Sequence, residues 1–214
     1  MTQYLLVLAL AAGALAAWAF VRHLKGRRLR KLAKLAEVSG DALEDYGPEV
    51  SLLEGTGLPF FVDGRGGFGR CLLRLEAEDG VKPYFFDYQC TLGSGASERK
   101  RQSTVALFEF EKGAFPDFHL SAGGDLPDEA SGLEPADMKD FSGFPPGVKL
   151  LGRDPAALKK YFTSELDACF AKYDGWSAQG SGRYLVLYKG CGLVPAGEYP
   201  EFIVEAKKLA FNLG

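Results

Sequence analysis

Asp87 stands between Phe86 and Tyr88, the one carboxylate embedded in an aromatic strand-like run. If buried there, it must be hydrogen-bonded or paired, which makes it either a tie within the fold or part of a site. Soon after it comes Thr91-Leu-Gly-Ser-Gly-Ala-Ser-Glu-Arg-Lys-Arg101, where glycines expose backbone N–H groups ahead of three cations. That combination is able to hold an anion, so Asp87, Ser94 and Lys100 are the candidate binding residues. The segment lacks the G-K-[ST] ending of a phosphate loop. A glycine-rich hairpin turn with its basic residues facing water is the competing reading.

No complete catalytic set accompanies them, and no catalytic residue, cofactor site or metal site is assigned. Gly64-Arg-Gly-Gly-Phe-Gly69 spells G-x-G-x-x-G, but the dinucleotide fingerprint needs a helix after it and a strand-like run follows, so it reads as a flexible connection. Gly175-Trp-Ser-Ala-Gln-Gly180 has one residue too many for a nucleophile elbow, which excludes Ser177. His119 is the only histidine outside the membrane-proximal region that holds His23, and a packed or surface role is expected for it. Cys71, Cys90, Cys169 and Cys191 are dispersed without a C-x-x-C pair, and only Cys191 is turn-like enough to react. The acidic series Asp125, Asp128, Glu129, Glu134, Asp137 and Asp140 does not follow calcium-loop spacing and reads as a solvated loop.

The elements that position these residues begin with an apolar run. Tyr4 to Val21 holds eighteen residues without a charge, and a helix of that length covers roughly 27 Å of a hydrocarbon core about 30 Å thick. Seven cations follow between Arg22 and Lys34 and none precedes it. That is the charge order of a single-pass anchor with its C-terminal side in the cytoplasm, and the reverse of a cleaved signal peptide. Tyr4, Trp18, Arg22, Lys25, Arg27 and Arg28 are the expected membrane-interface residues. The cations chiefly fix topology.

The formal net charge of −3 conceals an asymmetry, since none of the 28 carboxylates precedes residue 35. The remainder carries 18 cations against those 28, a balance of −10 that disfavours nucleic-acid binding and leaves only the juxtamembrane stretch to touch lipid. With 47% apolar and 13% aromatic residues the chain can build a core, and its 27 glycines fall in clusters that suggest many turns.

Leu29, Leu32, Leu35 and Ala36 keep helical spacing, as an extension of the anchor or a surface-lying turn. Residues from about 40 to 57 look like a linker. Runs at 68–76, 82–91, 102–110, 116–121 and 183–188 read as strands. Asp154 caps a helix that carries Leu158, Phe162, Leu166, Cys169, Phe170 and Tyr173 on one stripe, and a last helix begins at Pro200. The expectation is an anchor over 1–22, a basic juxtamembrane segment and linker over 23–56, and a cytoplasmic α+β domain over 57–214. That domain has a mostly antiparallel sheet with two helices packed on one face.

Phe86-Asp-Tyr88 with Gly93-Ser-Gly95, Gln102-Ser-Thr-Val105, Asp137-Met-Lys-Asp-Phe141, Leu150-Leu-Gly-Arg-Asp154 and Gly180-Ser-Gly-Arg-Tyr-Leu-Val-Leu-Tyr188 resemble an uncharacterised family of bacterial membrane-anchored proteins. The resemblance spans about residues 57–214. It implies one fold unit and a bacterial origin, and it brings no catalytic residue. In the family's pattern a lysine follows G-S-G, whereas here Ala96 takes that place, which weakens an anion site at the turn. The leading expectation is a non-enzymatic module that binds a protein partner or small ligand near the membrane, with lipid contacted through the N-terminal helix. The rival is a hydrolase acting on an anionic molecule through Asp87 and the Gly93–Arg101 turn. A homo-oligomeric scaffold is the third reading.

Overall fold

Val81-Lys-Pro-Tyr-Phe-Phe-Asp-Tyr-Gln-Cys-Thr-Leu92 carries apolar side chains on both alternating sets, as a strand covered on both sides requires. It lies inside one large sheet in the computed structural model, which describes residues 26–37, 42–113, 115–122, 132–173 and 175–214. Residues 26–37 form helix α1, followed by strand β1 (Ala42–Tyr46), short helices α2 (Val50–Gly55) and α3 (Pro59–Val62), and strands β2 (Arg65–Arg74), β3 (Val81–Leu92), β4 (Arg99–Phe110) and β5 (Phe115–Ser121). Then come strands β6 (Glu134–Pro135) and β7 (Lys149–Gly152), helices α4 (Pro155–Tyr161) and α5 (Ser164–Lys172), strands β8 (Trp176–Gly182) and β9 (Tyr184–Lys189), and helix α6 (Tyr199–Leu213).

The nine strands form a single sheet in the order β1-β2-β3-β4-β9-β8-β5-β7-β6, with every neighbouring pair antiparallel. The protein is an α+β fold. One face of the sheet buries Phe85, Ala106, Phe108 and Leu187 against Leu32 and Ala36 of α1, Leu158 of α4, Phe170 of α5 and Phe202 and Leu209 of α6. The opposite face buries Phe86, Tyr88, Val105 and Tyr188 against Leu53 of α2 and Phe60 and Phe61 of α3.

Several expectations change. The segment read as juxtamembrane stretch and linker supplies a helix, an edge strand and a second helix, and it packs into the domain through Leu32 and Leu53, each 2% exposed. The helices therefore cover both faces of the sheet, and more than two contribute. The single helix expected after Asp154 is broken: Asp154 accepts from the backbone N–H groups of Ala156 and Ala157 as a cap should, but Phe162 turns to an extended conformation. The break lets the Phe162 ring meet Phe118 at 5.0 Å and Phe144 at 5.6 Å, contacts that a continuing helix would redirect. Gly64 to Gly69, read as a flexible connection, overlaps the first half of β2. A Cβ at Gly67 would strike the Tyr88 hydroxyl, and one at Gly69 would lie 2.9 Å from the Gly47 backbone. The glycines there admit close neighbours. Leu150 to Gly152 pairs in the sheet as β7 before the helix begins.

The apolar run from Tyr4 to Val21 and its flanking Arg22, His23 and Lys25 lie outside the described residues. Among the described residues no helix is long and apolar enough to cross a membrane.

Candidate functional site

Alternation along β3 sends Phe86 and Tyr88 to the face covered by α3, and so turns Asp87 toward α1 and α6. Its cross-strand neighbour is Thr104 on β4, which donates from Oγ1 to Asp87 Oδ1 at 2.9 Å. Helix α1 brings Arg28 over the pair. Arg28 Nε donates to Asp87 Oδ2 at 2.7 Å and Nη2 to Oδ1 at 2.9 Å, a two-pronged pairing that matches the planar guanidinium to the carboxylate. The remaining terminal nitrogen, Nη1, donates to the Val194 carbonyl at 2.6 Å, and the Val194 N–H donates to Thr104 Oγ1 at 2.9 Å. Asp87 is 6% exposed, so three distant stretches of chain close on one carboxylate.

The electrostatics follow from this enclosure. Burial alone would lower the pKa of Arg28, but the hydrogen bond and charge of Asp87 outweigh it and hold the guanidinium above its ordinary value. The Tyr199 ring lies beneath Arg28 at 6.0 Å, and burial first and the Asp87 charge second raise its phenol. Cys71, in left-handed backbone at the β2 irregularity between Arg70 and Leu73, has its thiol pushed up to about 11 by burial and by the charge of Asp87.

Ser94 and Lys100 do not join Asp87. Both are exposed at the far end of the β3–β4 hairpin, where Gly95–Ser97 makes a 3₁₀ turn and Lys100 pairs with Thr91. Thr91 is four residues beyond Asp87, about 13 Å along a strand. The turn's Gly93 carbonyl accepts from Arg65 at 3.0 Å. Arg101 lies on the other face, its guanidinium 4.0 Å from the centre of the Phe60 ring and donating to the Phe60 carbonyl.

Other sequence candidates also settle into the fold. His119 Nε2 lies 3.0 Å from the Tyr188 hydroxyl, and both residues are buried. Ser177 is buried in β8 and its Oγ accepts from the Ala122 N–H at 3.3 Å. Cys191 is exposed, while Cys71 and Cys90 are buried. Asp140 pairs with Lys159 at 2.8 Å; Asp125, Asp128 and Glu129 lie outside the described residues. Among the described residues no three His, Cys, Asp or Glu side chains are grouped to hold a metal.

Tyr4, Trp18, Arg22 and Lys25, expected at the membrane interface, also fall outside the described residues. Of that set Arg27 is exposed on α1, whereas Arg28 is turned into the Asp87 pair. The sequence did hold a signal for this, since Arg28, Leu32 and Ala36 are spaced i, i+4, i+8 and share one helix face. Nothing in the local sequence marks Thr104 or Val194.

The fold and site define an α+β domain on one nine-stranded antiparallel sheet, with helix α1 tied to the sheet by an enclosed ion pair. No protein-family model matches the chain, and no curated protein matches it. Among solved structures it is similar in fold to the crystal structure of the mycobacterial trehalose monomycolate transport factor A, TtfA. The TM-score is 0.59 at 9% identity, covering 84% of this chain and 90% of that one.

Proposed function

We propose that the chain is a bacterial inner-membrane protein, anchored once through Tyr4–Val21 with its domain in the cytoplasm, and that the domain binds a protein partner or small ligand rather than catalysing a reaction. The observation that carries the non-enzymatic reading is the engagement of Asp87. A general acid or base must come within about 3 Å of the proton it moves. Both Asp87 oxygens are instead taken by Arg28 and Thr104, and Ser94 and Lys100 lie along the hairpin away from it. The order of the apolar run and the cations after it supports the anchor. The similarity in fold to a transport factor makes a transport component one class of partner to seek.

The test is purification of the full chain from its native membrane after light crosslinking, with mass spectrometry of what accompanies it. A reproducible stoichiometric partner is expected, and Asp87→Asn, Ser94→Ala and Lys100→Ala should abolish no turnover of phosphorylated or other anionic substrates. Turnover lost in any of those variants that keeps its fold would overturn the reading in favour of an anion-directed hydrolase.

A further inference from the structure

Helix α1 uses its inward stripe to join the domain, and its outward stripe carries a different pattern. Arg27, Arg30, Lys31 and Lys34 follow i, i+3, i+4, i+7 spacing and fall within about 100° of arc. All four are exposed, and together with Arg28 and Ala196 they line an open cleft of about 810 Å³. Among the described residues none of the four makes an ion pair with a carboxylate, and Arg30 turns Nε only to its own helix, at the Gly26 carbonyl. Four like charges crowded on two turns repel one another unless an anion lies among them.

We propose that this stripe is a docking surface for the acidic headgroups of the bilayer, and that it sets which face of the domain lies against the membrane. Three observations carry the choice of occupant, which rests on the anchor reading above. The apolar run ends at Val21, five residues before Gly26, and a chain that short spans at most about 17 Å, so α1 starts within or beside the headgroup layer. The rest of the chain carries the −10 balance, which an anionic surface repels on the whole, whereas the stripe is attracted. Finally, the Arg28–Asp87 pair holds α1 on the sheet, so the stripe orients the whole domain and not a loose tail.

The experiment places the full chain in nanodiscs of phosphatidylcholine, with or without about one third phosphatidylglycerol, and follows acylation of Lys31 and Lys34 against the exposed Lys82. Each cation near an acidic surface is worth roughly fivefold in local binding, so acidic lipid should slow both lysines at least about fivefold relative to Lys82. About 0.5 M salt should reverse the protection by screening. Equal rates in the two lipids would overturn the proposal, as would the same protection from inorganic phosphate in discs of phosphatidylcholine alone, which would mark a site for free anions. Resistance to alkaline extraction reads the anchor separately. Stable insertion with equal rates removes the headgroup surface and keeps the anchor; acid-lipid protection of an extractable chain does the reverse.

Discussion

Arg28 and Asp87 each leave a charge stranded if the other is removed, since their side chains are 18% and 7% exposed. Breaking an enclosed pair from one side costs about 3 kcal/mol, so Asp87→Asn and Arg28→Met should each lower unfolding stability by that order. The double variant should lose at least about 1 kcal/mol less than the sum, because the second change no longer strands a charge. Additive losses in urea unfolding would mean the pair is not formed in solution. The neighbouring Cys71 supplies a pH dependence. Its thiol rises from an ordinary 9.0 to about 11 on folding, so its contribution is complete below the unfolded value and is lost as pH climbs from 9 toward 11. Arg28, held above its ordinary value by Asp87, keeps its contribution throughout that window. Unfolding midpoints should therefore fall between pH 9 and 11 in the native chain, and the fall should be shallower in Cys71→Ala. The need of Asp87 for a partner was legible from its aromatic flanks, whereas the partner's identity was not, since 59 residues separate the two.

At the scale of elements, strand β2 shows what close approach demands. Gly69 faces the Gly47 backbone and Pro48, neither of which can swing aside as a flexible side chain would. Gly69→Ala should cost about 1–3 kcal/mol through overpacking, read as a lower thermal midpoint. An unchanged midpoint would show that β1 yields instead. Helix α6 and the cap at Asp154 were readable because local signals decide them: a proline in the first turn, a side-chain oxygen placed for the amides, and an apolar stripe. The break after Tyr161 had no such signal. It is decided by rings from β5 and from the stretch around Phe141 and Phe144, which gather about Phe162.

For the whole molecule, α1 is part of the domain, so the boundary falls before residue 26. A chain beginning at residue 23 should keep the native unfolding midpoint in detergent-free solution. One beginning at Ala42 exposes the seats of Leu32 and Ala36 and strands Asp87, and it should be markedly less stable and more readily proteolysed. Equal midpoints would return α1 to the status of a linker. The α+β class and the central and C-terminal elements were legible in the sequence as local patterns at period two or 3.6, and the charge asymmetry and the apolar run as local composition. Only the tertiary structure decided that helices cover both faces and that β4 lies beside β9 rather than β5. It also paired Arg28, a basic residue close after the apolar run, with Asp87 in a part-buried ion pair. Those outcomes rest on contacts between residues far apart in sequence, whose energies exist only once the chain has brought them together.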